Sequence, residues 1–200
     1  MRTNLTKIQR CPWCGNFLIN AAIKSALKQL NIPKHKVVIL SGIWCASKTA
    51  QYIDGYGCET LHGRSLPFAT GIKLANPDLT VIAYGGDGDG YGIGLGHFLH
   101  SCRRDINLTY IVANNENYGL TTGQASPTTP LHVKTKSTPQ GNQILPFDPV
   151  GMAKSAGCAY SVHMIDKDLP LLTQAIIDWI QHQWFSHIDV DQACPSWRKR

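Results

Sequence analysis

The sequence predicts an α/β fold, a mainly parallel sheet with helices on both faces. Three observations carry that expectation. Short, almost wholly apolar runs recur at 37–40, 79–84 and 108–113, as strands buried on both faces require. Segments with helical spacing of apolar residues alternate with them, the pattern of β–α–β units. Each run ends in a Gly-, Asp-, Ser- or Asn-containing turn, and turns at the carboxyl ends of parallel strands are where ligands bind in this architecture. At 200 residues the chain can bury one core, and no repeat or linker divides it, so 1–200 is expected to be a single domain.

The elements follow in order. Phe17, Leu18, Ala21, Ala22, Leu27 and Leu30 recur at helical spacing and predict a first helix, ended by Asn31 to Pro33. The strand 37–40 leads into a polar, Gly-rich stretch over 41–63. A helix is expected over 65–75, stopped by Asn76-Pro77, then the strand 79–84. Residues 85–90 read Gly-Gly-Asp-Gly-Asp-Gly and predict a tight turn, with helical periodicity over 93–102 behind it. The strand 108–113 ends at Asn114-Asn115. The loop 119–147 is too long to be idle in a compact domain and is read as functional. A helix over 149–156, a strand over 159–164, a helix over 169–182 and a last strand over 186–190 complete the chain.

Composition narrows the function. The net charge is +6, part of it from the terminal Arg198, Lys199 and Arg200, which read as a solvated basic tail or as attraction to an acidic partner. No basic stripe interleaved with aromatics argues for nucleic acid. No apolar stretch reaches the roughly 18 residues a membrane helix needs, and the polar start Met1 to Gln9 does not resemble a signal peptide, so a cytoplasmic, soluble protein is expected. In that compartment thiols stay reduced, and paired cysteines among the seven present read as metal or redox sites.

Asp87 directly follows a strand and sits among glycines, which let the backbone approach a ligand and leave amide N–H groups free for an anion. The helix behind it would aim its positive end at the same place. Asn115 ends the next strand, 28 residues on, so the two strand ends can be neighbours. A carboxylate, an amide oxygen, a backbone carbonyl and diphosphate oxygens form the oxygen shell Mg²⁺ prefers. Gly-Asp-Gly occurs twice in overlap; Asp87 is nearer the strand end and fits the spacing better than Asp89. The pair, with Asn114-Asn115-Glu116-Asn117-Tyr118-Gly119 following, resembles the thiamine-diphosphate motif.

Cys11 and Cys14 form a C-x-x-C pair, which by itself reads as zinc, thiol redox or one edge of an Fe–S cluster. Cys45 lies past the first strand and Cys194 near the end, whereas Cys102 and Cys158 have apolar surroundings that suit buried thiols. From Cys11 to Thr135 the chain resembles the β subunits of 2-oxoacid:ferredoxin oxidoreductases. Cys11-Pro12-Trp13-Cys14-Gly15-Asn16, Ser41-Gly42-Ile43-Trp44-Cys45-Ala46-Ser47-Lys48, Leu61-His62-Gly63-Arg64 and the two diphosphate segments occur in the family's order, and Cys194-Pro195 is similar to its fourth cluster ligand.

The resemblance implies a thiamine-diphosphate-binding fold and a set of site residues. Mg²⁺ would be held by Asp87, Asn115 and the carbonyl of Asn117. Gly88, Asp89, Gly119 and Leu120 would line the diphosphate. His62 and the turn Ile43, Trp44, Cys45, Ala46 would contact thiamine diphosphate. Lys48 matches a position near the 2-oxoacid carboxylate, its alternative being a solvated loop lysine. Cys11, Cys14, Cys45 and Cys194 would carry a [4Fe–4S] cluster. The implied activity is oxidation of a 2-oxoacid to acyl-coenzyme A and CO₂, with electrons leaving through the cluster to ferredoxin. No Glu sits in a motif able to activate the thiamine ring, so an α subunit is expected to supply it within a hetero-oligomer. Trp44 departs from the family, which commonly has Gly there. The competing readings are a thiamine-dependent decarboxylase or synthase without a cluster, and a zinc-stapled binding module; the latter leaves Asp87 and Asn115 unexplained.

Overall fold

The computed structural model describes residues 10–198, so the expected polar start Met1 to Gln9 and the tail residues Lys199 and Arg200 lie outside it. A six-stranded sheet runs through the centre in the order β2-β1-β3-β4-β8-β7, and every pairing within it is parallel. Its strands are β1 (Val37–Ser41), β2 (Tyr56–Glu59), β3 (Thr80–Gly86), β4 (Thr109–Asn114), β7 (Tyr160–Ile165) and β8 (Ser186–Asp191). The period-2 alternation of strand side chains divides the core into two layers. Val37, Ile39, Ile82, Tyr84, Ile111, Ile188 and Val190 point to one face, which α1 (Asn16–Gln29) and α6 (Leu169–Gln181) cover. Val38, Leu40, Val81, Ala83, Tyr110 and Val112 point to the other, under α3 (Ser65–Ala75), α4 (Leu95–Arg104) and α5 (Pro149–Ser155). Strands buried on both faces are what the all-apolar runs demand.

The expected helices and strands are present, with ends shifted by a residue or two at most elements. Pro at the first turn and an Asp cap start two of the helices: Asp148 accepts from the Gly151 amide on α5, and Asp168 from the Leu171 amide on α6, both at 3.0 Å.

Three segments differ from expectation. The stretch 41–63 is not merely polar and irregular: it holds a single turn at Trp44–Ala46, α2 (Thr49–Tyr52) and the edge strand β2. All four residues of β2 are exposed, so no apolar period marks the strand, and only its backbone pairing to β1 defines it. The expected tight turn at 85–90 is a strand extended to Gly86, followed by a π-helical turn, Gly88–Ile93. The loop 119–147 contributes a two-residue strand, β6 (Gln124–Ala125), antiparallel to β5 (Asn117–Tyr118). Beyond that it is held by side chains, with the Asn142 amide donating to the Thr129 carbonyl at 2.7 Å and the Ile144 carbonyl at 2.8 Å. Among the described residues no helix is long and apolar enough to cross a membrane.

Candidate cofactor cleft and cysteine cluster

The carboxyl ends of β1, β3, β4 and β8 open into one cleft. Ile43 to Ala46 form one wall and Gly86 to Asp89 the base. Asn115, Asn117, Tyr118 and Gly119 form the opposite wall, and Asn16 and Gln192 close it. The two halves of the diphosphate motif, far apart in sequence, thus face each other because β3 and β4 are adjacent and parallel.

Asp87 is buried at the base. Burial, reinforced by the charge of Asp189, pushes its carboxyl up to about 6, although hydrogen bonds from Ser126 and Thr128 pull the other way. The Thr128 hydroxyl lies 3.0 Å from Asp87 Oδ2 and 2.8 Å from Asn114 Oδ1 and carries one proton to share between them. Asn115 is fixed by donation to Gln192 Oε1 at 3.0 Å, and its own Oδ1 accepts the Asn117 amide at 3.2 Å. Asn117 Oδ1 is buried with no hydrogen-bond partner among the described residues, as is Asp89 Oδ2. Buried oxygens without donors sit comfortably only beside a cation or a donor-bearing ligand. Gly88 is required by close approach: a Cβ there would run into the Tyr118 ring.

Asp89 ties the first wall to the base. Its Oδ1 accepts the Ile43 amide at 3.1 Å and the Gly63 amide at 2.8 Å, and a Cβ on Gly42 would collide with the carboxylate. His62 Nδ1 lies 2.8 Å from the same oxygen and 2.9 Å from Trp44 Nε1. One ring nitrogen cannot accept from the indole N–H and donate to the carboxylate together, so which contact forms depends on which ring nitrogen of His62 carries the proton. The Trp44 ring also packs against His62 and Tyr118, at centroid distances of 5.3 and 5.9 Å. Its backbone has φ +85°, a conformation that suits glycine and costs a bulky residue about 1–3 kcal/mol.

The cysteines gather beside this cleft. The Gly15 amide donates to the Ala193 carbonyl at 3.0 Å, joining the Cys11–Cys14 turn to the Cys194 segment. Cys14 Sγ receives the Asn16 amide at 3.5 Å and the Gln192 amide at 3.7 Å, and Cys11 Sγ lies 3.2 Å from Ser196 Oγ. Burial first, then the charges of Cys14, Cys194 and Cys11, push the Cys45 thiol up to about 11 against the pull of Arg10. Cys14 is raised by the same combination of burial and Cys194. The Cys14 and Cys45 thiols are thus held against ionisation, which a soft cation beside them would reverse. Among the described residues no three His, Cys, Asp or Glu side chains are already drawn close enough to hold a metal ion.

Behind the base, Asp189 on β8 links both motif halves. It accepts from Tyr91 Oη at 2.8 Å and from Asn114 Nδ2 at 3.2 Å, and contacts His163 Nδ1 at 2.9 Å. Because Tyr91 donates to Asp189, its oxygen accepts from His187 Nε2 at 2.8 Å, leaving His187 Nδ1 to accept from Ser161 at 2.8 Å. His187 is fully buried, and burial lowers it to about 4.

Of the residues singled out in the sequence, Asp87, Gly88, Asp89, Asn115, Asn117 and Gly119 line the cleft with Ile43, Trp44, Cys45 and Ala46. His62 stands behind Trp44. Two placements differ from expectation. Leu120 is 63% exposed and does not line the cleft, because the chain turns outward after Gly119. Lys48 also lies outside the lining and pairs with Glu59 of the edge strand at 3.6 Å. Sequence reasoning missed Gln192, Thr128 and Asp189, which carry no motif of their own, and gave no role to Tyr118 within the Asn-rich motif. Only the position of Gln192, two residues before Cys194, hinted at a role.

Comparison with known proteins bears on the family and the fold. The family model described as thiamine pyrophosphate enzyme, C-terminal TPP binding domain, matches residues 31–190. The chain is 48% identical over 189 residues to the 2-oxoacid:ferredoxin oxidoreductase subunit beta of Saccharolobus solfataricus, covering 94% of the chain but 62% of that relative. It is 42% identical over 196 residues to the 2-oxoglutarate synthase subunit KorB of Archaeoglobus fulgidus, covering 98% of the chain and 73% of that protein. Among solved structures, the 2-oxoglutarate:ferredoxin oxidoreductase from Magnetococcus marinus, with 2-oxoglutarate, coenzyme A and succinyl-CoA bound, superposes with a TM-score of 0.95 at 35% identity. That match covers 98% of this chain and 67% of the other. The parallel sheet, the paired motif halves and these similarities together place the chain in the thiamine-pyrophosphate enzyme family, with the beta subunits of 2-oxoacid:ferredoxin oxidoreductases.

Proposed function

We propose that this chain is the cofactor-binding subunit of an enzyme that oxidises a 2-oxoacid to acyl-coenzyme A and CO₂ and passes the electrons to ferredoxin. The observation that carries the reading is the meeting of Asp87, Asn115 and Asn117 with Cys45 in one cleft, with Cys14 and Cys194 close behind it. In this reading thiamine diphosphate supplies a nucleophilic carbanion toward the keto carbon and a [4Fe–4S] cluster supplies a one-electron outlet.

The remaining work belongs to the chain. Asp87, Asn115 and the Asn117 carbonyl would hold Mg²⁺ against the diphosphate; two of these donors are uncharged oxygens, so the site needs no cluster of three acidic or thiol groups. The unpartnered Asn117 Oδ1 and the raised Asp87 carboxyl are features that a bound cation would relieve. Gly88 and Gly119 would leave room for the phosphates, and the Ile43 to Ala46 wall would hold the ring end. Cys11, Cys14, Cys45 and Cys194 would hold the cluster, with Asn16 and Gln192 amides directed at Cys14 Sγ. His62 would sit at the edge of the ring site as a proton donor or acceptor. Lys48, paired with Glu59, would reach the substrate carboxylate only by leaving that ion pair. A partner subunit would supply the carboxylate that activates the thiamine ring.

Anaerobic purification with the partner subunit tests the reading. Expected are about four irons and four sulfides per chain and a brown absorbance bleached by 2-oxoacid plus coenzyme A. Zinc in place of iron would remove the redox function.

A further inference from the structure

The backbone at Trp44 asks for glycine, yet the chain places its largest side chain there, inside the cleft. An outlier of this kind persists only where its surroundings hold it. Here the Trp44 carbonyl accepts from the Ser47 amide at 3.1 Å and the Ser47 hydroxyl at 2.8 Å, the indole N–H meets His62, and the ring packs on His62 and Tyr118. Fixed on several sides, it does not yield space as a loose surface side chain would. It forms one wall of the cleft together with Ile43, Cys45 and Ala46. Among the described residues lining the cleft none is Lys or Arg, whereas Asp87 and Asp89 are there. The nearby Lys48 is engaged by Glu59.

From this we propose that Trp44 is a specificity-determining residue, its indole confining the substrate to 2-oxoacids with a short, uncharged acyl chain. A second carboxylate on the substrate would find no cation in this wall. The inference rests on the functional reading above and adds to it the class of substrate.

The test uses the complete enzyme complex with a ladder of acids: pyruvate, 2-oxobutanoate, 2-oxopentanoate and 2-oxoglutarate. In the wild type kcat/KM should fall about tenfold or more along the ladder, the scale on which a pocket rejects added methylenes. In Trp44→Gly the ratio of long-chain to pyruvate kcat/KM should rise about tenfold, whatever the absolute rate. Trp44→Phe keeps most of the bulk and loses the N–H, so its ratio should stay with the wild type. If Trp44→Gly does not fold, Trp44→Ala is read in the same way. Calorimetric binding of the same acids to the complex loaded with Mg²⁺ and an unreactive thiamine diphosphate analogue gives the ranking without turnover. Turnover or binding with the same ratio in wild type and the small variants overturns the inference alone. A complex that neither binds nor turns over any of the acids overturns the functional reading and the inference with it.

Discussion

Asp87 and His187 titrate in opposite senses, and together they shape how stability depends on pH. Asp87 is raised to about 6, so its contribution is fully present below its unfolded value of 3.8 and is lost as pH rises through about 6. His187 is lowered to about 4, so its contribution is present above its unfolded value of 6.5 and is lost as pH falls through about 4. Each shift corresponds to about 3 kcal/mol, and between pH 4 and 6 they nearly cancel. In chelator-treated protein, urea melts of the wild type should therefore vary little across this window. Asp87→Asn should uncover a loss of stability on acidification; a flat profile in that variant would contradict the assignment of His187. The same Asp87 value predicts that Mg²⁺ affinity, measured by titration with thiamine diphosphate present, falls about tenfold per pH unit below 6. Gly88→Ala should displace Tyr118, lower the melting temperature and weaken thiamine diphosphate at least about tenfold, because packed interiors do not absorb a methyl placed inside a ring.

Between elements, the most consequential contact is the one joining the turn before α1 to the segment after β8. Gly15 approaches so closely that a Cβ would strike the Asp166 carboxylate and lie 2.8 Å from the Ala193 amide. Gly15→Ala should separate Cys14 from Cys194. Iron content per chain in anaerobically prepared protein should drop well below that of the wild type, while circular dichroism of the sheet and helices stays the same. Retained iron would detach Cys194 from the cluster. The caps make a contrasting, purely structural prediction: Asp168→Ala should cost about 1 kcal/mol in denaturant unfolding and leave iron content unchanged, because the cap satisfies one backbone amide, that of Leu171 in the first turn of α6, and touches no cysteine.

For the whole molecule, no Glu is among the described residues that line the cleft. The proposed α subunit should therefore be needed for turnover, and the isolated chain should show none even when loaded with thiamine diphosphate, Mg²⁺ and iron. Activity restored in proportion to added partner, measured as ferredoxin or dye reduction, is the expected result. Turnover by the isolated chain would show that the activating carboxylate comes from elsewhere in this sequence.

The sequence by itself determined the parallel sheet, because strands buried on both faces must be apolar throughout. It also determined the two strand-end motifs, because a Gly-flanked Asp and an Asn-rich turn are local features. Tertiary structure alone decided the rest. β2 was illegible because an exposed edge strand has no apolar period and exists through its backbone pairing. Lys48 and Leu120 could be named from their neighbours in sequence, but the direction of each side chain depends on Glu59 across the sheet edge and on the outward turn after Gly119. Gln192, Thr128 and Asp189 gain their roles only when β8 and the long loop fold against β4, which brings together donors and acceptors no spacing rule connects. Trp44 shows both limits: its identity is read from the sequence, whereas the glycine-like backbone and the ring's place in the cleft come only from the folded chain.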